Sequence, residues 1–193
     1  MTVQHIKSSN VVRMVKVNIG CGNAAIPGFI NIDVRKTKCT DIVANADKLP
    51  LESNSVEEVF ARYVIEHFNR HEVKHVLHEW NRILKVGGKL IIHTLNVEEL
   101  NRILLHKYIS WDHYNYLLFG GQDYKENTHK LAISKGYLQE LVSQRGFGKL
   151  KVTSKSKKFE DIEKGVDTSR YCPLIVFEAF KIKESKKIIK KVK

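Results

Sequence analysis

The feature that most restricts this chain is Val17-Asn18-Ile19-Gly20-Cys21-Gly22-Asn23, a short apolar run that halts on a G-x-G turn. Glycine accepts backbone angles that other residues avoid and lets a ligand approach the main chain closely. The run at 14–19 reads as a buried strand. Further short runs follow at 29–33, 42–46, 56–61 and 89–95; the first of them ends on Asp33, and the second is followed at once by Asp47. Residues 63–68 lead out of the fourth run towards a helix at 71–84, where Val73, Val76, Leu77, Trp80, Ile83 and Leu84 recur at i, i+3, i+4, i+7 spacing. Val86-Gly87-Gly88 is expected to stop that helix. Strands alternating with helices imply an α/β fold with a Rossmann-like, doubly wound, mostly parallel sheet and right-handed crossovers.

The second half is less regular. Helices are expected at 97–105 and 106–118, with Gly120-Gly121 as a break, and from a Ser134 cap to about Gln144, with Gly146 as the stop. Runs at 150–154 and 174–182 read as strands joined by the polar loop 159–171, able to form an antiparallel hairpin on the sheet. The expected organisation is a loose segment at 1–13, a single domain at 14–182 in which 97–130 caps the substrate side, and a Lys-rich tail at 183–193.

A chain of 193 residues, 42% hydrophobic and 28% charged, has an ordinary globular balance and needs no disulfide or metal to hold a core. Apolar runs such as 174–177 are far short of the roughly 20 residues a membrane span requires. Cys21, Cys39 and Cys172 form no CxxC pair, so neither zinc-ligand spacing nor a disulfide framework is present. Residues 1–10 lack the pattern of a signal peptide, and a reduced, cytoplasmic compartment is expected. The net charge is +12, and residues 181–193, with seven Lys and one Glu, carry half of it. Lys149, Lys151, Lys155, Lys157 and Lys158 form a second cluster. Such charge attracts polyanions, but no aromatic side chains interleave with the tail lysines for base stacking, which favours a solvated end.

Ligands of open α/β sheets bind outside the carboxyl ends of the strands. The residues to inspect are therefore 20–23, Asp33, Asp47, 62–67 and 94–97. Asp33 stands where a carboxylate can accept two hydrogen bonds from a ribose diol. Asp47 stands where one can accept from an exocyclic adenine amine. Either acid alone reads as a turn former; both, on consecutive strand ends after G-x-G, favour a nucleoside site.

From 15 to about 95 the chain resembles the class I S-adenosylmethionine-dependent methyltransferases. The resemblance is carried by Asn18-Ile-Gly-Cys-Gly-Asn, Pro27-Gly-Phe-Ile-Asn-Ile-Asp33, Asp47-Lys-Leu-Pro, Ser55-Val-Glu-Glu-Val-Phe-Ala-Arg-Tyr-Val-Ile-Glu-His67 and Glu79-Trp-Asn-Arg-Ile-Leu-Lys-Val-Gly-Gly-Lys-Leu-Ile-Ile92, in that order. It implies a seven-stranded sheet with one antiparallel strand. It also implies S-adenosylmethionine as methyl donor, held by Gly20, Cys21, Gly22, Asn23, Asp33, Asp47, Lys48, Leu49, Arg62, Tyr63 and His67. The second half, with His129-Lys130, Gly146-Phe147 and Val176-Phe-Glu-Ala-Phe-Lys181, looks like small members found with surface-glycan genes.

The chain also departs from the family pattern. Gly20 to Asp33 is 13 residues, against roughly 20 in a dinucleotide fingerprint, so the first crossover helix is short or missing and a nicotinamide site is disfavoured. Asn18 replaces the acid usual before the glycine turn. Ala61-Arg62-Tyr63-Val64 stands in place of Asn-Pro-Pro-Tyr, which disfavours methylation of nucleobase amino groups. Glu66-His67 is similar to the metal-binding Glu-x-x-Glu-His of some RNA-end methyltransferases, but Tyr63 replaces the first Glu and no metal is expected.

Methyl transfer from a sulfonium is an in-line displacement with a neutral leaving group, so the protein mainly positions the reactants. A base is needed only where the acceptor must lose a proton, and His67, His93, His113 and His129 are the candidates. His93 lies inside a strand; His129 lies in a long, polar, glycine-opened segment of the kind that faces substrates and is the catalytic candidate. The expected acceptor is a small molecule or a glycan sugar, since the cap leaves little room for RNA and no RNA-binding domain is appended. An RNA acceptor and a catalytically silent partner protein are the alternatives.

Overall fold

Short valine- and isoleucine-rich runs bounded by turn residues bury both faces best in the middle of a parallel sheet. The computed structural model describes residues 14–155 and 173–185. In it the runs become β1 (Lys16–Ile19), β2 (Ile30–Asp33), β3 (Ile42–Val43), β4 (Val56–Arg62), β5 (Leu84–Leu95), β6 (Phe147–Lys155) and β7 (Leu174–Lys181). They form one seven-stranded sheet in the order β3-β2-β1-β4-β5-β7-β6. The pairs β1–β2, β2–β3, β1–β4 and β4–β5 are parallel, and β7 runs antiparallel to both β5 and β6. The strand order reverses between β1 and β4, so their carboxyl ends flank the crevice in which such sheets bind ligands.

The helices are α1 (Glu72–Ile83), α2 (Val97–Leu105), α3 (Trp111–Phe119) and α4 (Lys135–Ser143), with a 3-10 turn at Ile65–His67. Helix α1 buries Val73, Val76, Leu77, Trp80 and Ile83, the face its periodicity marks, and Trp80 Nε1–H donates to the Ala46 carbonyl. Helix α4 is capped by Ser134, whose hydroxyl accepts from the Tyr137 N–H. Both helices contribute to the main core with β1, β4, β5 and β7. Helices α2 and α3 enclose a separate cluster of Leu95, Leu100, Ile103 and Ile109. The crossovers from β1 to β2, β2 to β3 and β3 to β4 contain no helix, as the short spacing from Gly20 to Asp33 predicts for the first of them.

Four expectations are corrected. Gly87 and Gly88 do not stop α1: that helix ends at Ile83, the Leu84 N–H still donates to the Trp80 carbonyl, and β5 starts at Leu84. The glycines serve a bulge instead, where the β4–β5 register shifts between Val56 and Glu58, and a Cβ on Gly88 would lie 2.8 Å from the Lys85 carbonyl. The third strand is only Ile42–Val43, because residues 44–46 peel away towards the crevice. The helix expected at 106–118 begins only at Trp111, where Ser110 accepts from the His113 N–H and so caps it. Lys181 is not part of a solvated end: it is buried in β7, and its Nζ donates to Leu84 O, Asn54 Oδ1 and Glu184 Oε1, each at 2.8 Å. Residues 1–13, the loop 159–171, Cys172, Lys157, Lys158 and tail residues 186–193 lie outside the described residues. Among the described residues no helix is long and apolar enough to cross a membrane.

Candidate functional site

The glycine turn is held from beneath by a buried amide network. Asn18 Nδ2 donates to the Ala24 carbonyl (3.2 Å) and to Asn31 Oδ1 (2.9 Å); Asn31 Oδ1 also accepts from the Ile26 N–H. Asn31 in turn donates from Nδ2 to Asp41 and to the Phe29 carbonyl. These bonds fix residues 20–26 without a helix. Gly20 has φ +68°, and a Cβ there would come within 2.3 Å of Val64 Cγ2. Its glycine therefore serves the close packing of the β1 and β4 turns as well as the backbone angle.

Asp33, at the end of β2, is buried, and its Oδ2 accepts from the Gly22 N–H at 2.8 Å. Its Oδ1 accepts from the Arg35 N–H at 2.8 Å. The carboxylate thus orders the glycine turn and keeps further lone pairs at the edge of a cavity of about 320 Å³. That cavity is lined by three groups of residues: Gly20, Gly22 and Asp33; Ala44, Asn45 and Ala46; and, as a third wall, Tyr63 and His67 with Tyr124, Lys125, Glu126, Thr128 and Lys130. Arg35 lies over the Tyr124 ring, 4.1 Å from its centroid, and joins the first wall to the third.

The third wall is clasped to the end of β4. The Glu66 carbonyl accepts from the Lys130 N–H (2.8 Å) and the Leu131 N–H (3.2 Å). His67 Nδ1–H donates to the Thr128 carbonyl at 3.2 Å, and His129 Nδ1–H to the Leu117 carbonyl at 3.0 Å. The two imidazoles meet edge to face with centroids 4.8 Å apart. Burial lowers the pKa of both, so each favours its neutral form. Next to His67 in sequence, Glu66 is fully buried, with Oε2 accepting from Thr94 and Oε1 without a hydrogen-bond partner among the described residues, and burial lifts its carboxyl to about 7.

Of the residues expected at the donor, Gly20, Gly22, Asp33, Tyr63 and His67 line the cavity. The others stand outside its lining. Cys21 is buried with its thiol towards Thr40, and burial raises its pKa. Asn23 and Arg62 are exposed. Asp47 and Lys48 sit in an exposed turn just past Ala46. Leu49 is a core side chain whose N–H donates to Glu79. His129 backs His67 rather than lining the cavity. Sequence reasoning did not single out Arg35, Ala44 or Asn45, and it reached Tyr124 only as part of the glycine-opened segment 120–130 expected to face the substrate. Arg35 carried a signal, two places after the Asp33 strand end; alanines leaving a strand carry none.

The residues present suit an S-adenosyl nucleoside. Gly22 lines the cavity with open space where a Cβ would stand, so a ligand can lie against the main chain there. Asp33 offers carboxylate lone pairs of the kind a ribose diol donates to, and the wall of Ala44, Asn45 and Ala46 is partly apolar, as a purine face requires.

Residues 25–92 match the methyltransferase domain family. No curated protein matches the chain by sequence. Solved structures are similar in fold. A SAM-dependent methyltransferase from Thermotoga maritima, described as a possible histamine N-methyltransferase, has TM-score 0.60 at 20% identity, over 86% of this chain and 82% of that one. A SAM-dependent methyltransferase from Archaeoglobus fulgidus has TM-score 0.60 at 16% identity, over 87% and 86%. Phosphoethanolamine N-methyltransferase 2 from Haemonchus contortus, solved with S-adenosylhomocysteine and phosphomonomethylethanolamine, has TM-score 0.55 at 15% identity, over 88% of this chain and 49% of that one. The seven-stranded order with its antiparallel β7 and the crevice at the β1–β4 switch point give this chain the fold of the class I S-adenosylmethionine-dependent methyltransferases, and the segment that matches the methyltransferase domain family lies within it.

Proposed function

We propose that the chain methylates a small molecule or a sugar of a glycan, on oxygen or nitrogen. The observation that carries this reading is the third wall. Residues 124–130 are tied to the end of β4 by the Lys130 and Leu131 N–H groups and by His67, and leave a cavity of about 320 Å³, near the lower end for small-molecule sites. Such a wall suits an acceptor that enters a crevice more than one that lies along a surface. The acceptors in the names of the Thermotoga and Haemonchus proteins, histamine and phosphoethanolamine, are small amines.

When bound, the donor supplies an electrophilic methyl on a sulfonium whose leaving group is neutral. Gly20, Gly22 and Asp33 hold its nucleoside, and Tyr63, His67 and Lys130 stand on the side an acceptor would approach. Their main task is alignment, since a well-aligned pair needs little further assistance.

The test is transfer of labelled methyl from S-adenosylmethionine into a cell extract split into small-molecule, glycan, protein and RNA fractions. Label in the small-molecule or glycan fraction is expected, with turnover unchanged at all salt concentrations when residues 188–193 are deleted. Label in RNA would overturn the proposal, with a log–log salt slope that flattens by about 0.7–0.9 for each phosphate the shortened tail no longer neutralises. Tight S-adenosylhomocysteine binding with no label in any fraction would point to a silent partner protein.

A further inference from the structure

We propose that His67, through Nε2, takes the proton from the methyl acceptor, and that His129 is a positioning residue that holds the His67 ring. The inference rests on the donor and acceptor reading just given and deepens it.

The geometry starts from two backbone carbonyls. A carbonyl oxygen only accepts, so the nitrogen facing it must carry hydrogen. His67 Nδ1 faces the Thr128 carbonyl at 3.2 Å, and His129 Nδ1 faces the Leu117 carbonyl at 3.0 Å. Each ring has a second backbone acceptor nearby, Tyr63 for His67 and Leu118 for His129; the bonds to Thr128 and Leu117 call for hydrogen on Nδ1, which in the neutral ring puts the lone pair on Nε2. A ring fixed in this way is a ready base: one nitrogen anchored by the main chain, the other able to accept.

Place separates the two rings. His67 lines the cavity; His129 does not, and packs its ring against His67 with centroids 4.8 Å apart at 74°. His129 is held in turn at both ends of its residue, since its N–H donates to the Phe119 carbonyl while Nδ1 donates to Leu117. The ring behind thus braces the ring in front.

The charges around His67 favour the form a base needs. Burial acts most strongly against a proton on the imidazole, and Lys130 from the clasped segment and Arg35 after β2 add to it, against the Thr128 and Tyr63 carbonyls, which favour one. Lys125, Glu126, Asp33, Tyr63 and Tyr124 also line the cavity, and His129 and the buried Glu66 are further titratable neighbours. In the reaction the acceptor's lone pair forms the bond to the methyl carbon, and the carbon–sulfur bond breaks with its electron pair left on sulfur. The acceptor's proton goes to Nε2, and the imidazolium later releases it to water.

The experiment has three readouts on the full chain. Nitrogen-15 NMR of the donor-free protein should show His67 neutral at pH 7 as the Nδ1–H tautomer, assigned by the signal that disappears in His67→Gln. That variant should lose methyl transfer to the labelled extract fraction by 100-fold or more. It should also lose the acid limb of the pH profile, while calorimetric affinity for S-adenosylhomocysteine stays within about threefold of wild type. His129→Gln should keep the acid limb but shift it, together with the NMR pKa of His67, and lower kcat more than it changes KM. An Nε2–H tautomer at His67 would overturn the proposal while leaving the donor reading intact. So would a drop in activity that matches a drop in S-adenosylhomocysteine affinity with an unchanged pH profile, which would make His67 a donor-binding residue only. Failure of wild type to bind S-adenosylhomocysteine would overturn both readings.

Discussion

Asn18 stands where the family usually has an acid, and its neighbours supply the reason. The side chain is 3% exposed and faces two acceptors, the Ala24 carbonyl and Asn31 Oδ1. Only a donor fits there. Turning the Asn31 amide over would not help, because its Oδ1 also receives the Ile26 N–H and its Nδ2 serves Asp41 and Phe29. Asn18→Asp would set a carboxylate against two oxygens in a dry site. It should cost about 2–3 kcal/mol of stability and loosen the glycine turn, so affinity for S-adenosylhomocysteine should fall as well. Urea unfolding and calorimetry check this; a variant as stable as wild type would show that the network is not what holds the turn. The same network exposes a limit of the sequence. Asn18, Asn31 and Asp41 are ordinary polar letters 13 and 10 places apart, and nothing in periodicity says that they meet.

At the scale of elements, the junction of α1 and β5 shows both what patterning reveals and what it hides. The apolar spacing from Val73 to Ile83 marks the helix well, because burial on one face imposes that period. Helix α2 at Val97–Leu105 and the Ser134 cap are likewise where the sequence puts them. The stop at Gly87-Gly88 is misread because a glycine pair serves a helix end and a strand bulge equally well, and only the partner strand decides between them. Lys181 is hidden for a related reason. It opens a lysine-rich run, yet its ammonium reaches Leu84 O, Asn54 and Glu184 and fastens β7 where helix passes into strand. In the site, the glycines, Asp33, Tyr63 and His67 were legible as strand-end residues, whereas Tyr124 was legible only through its glycine-opened segment, since its own place depends on a clasp between distant segments. Lys181→Met keeps the length of the stem but strands the Leu84 carbonyl and the Asn54 oxygen. It should destabilise by about 3 kcal/mol with an unchanged dependence on urea. A change below about 0.5 kcal/mol would place Lys181 among ordinary surface lysines.

For the whole molecule, pH acts on stability in two opposed ways. Glu66 has a carboxyl raised to about 7 in the fold, so it favours folding below about pH 4.5, the ordinary value of Glu, and that advantage is lost as pH rises through 7. His67 and His129 have lowered pKa values, so their contribution is full above about 6.5 and is lost as pH falls. Glu66→Gln removes the first effect and leaves the second. The unfolding free energy of the variant minus that of wild type should therefore grow by about 3 kcal/mol between pH 4.5 and 8. A difference constant over that range would mean that Glu66 ionises in the fold as it does in water. The clasp that buries Glu66 has one more consequence, in the order of assembly. The donor side is closed by partners 13 residues apart in sequence, as in Asn18 to Asn31, whereas His67 must find Thr128 across 61. Loop-closure entropy makes the second search dearer by roughly 1.4 kcal/mol. Nascent chains can thus shape the nucleoside wall from local pairings while the acceptor wall still awaits residues not yet made, and a donor present during synthesis would meet a half-built crevice before a finished one.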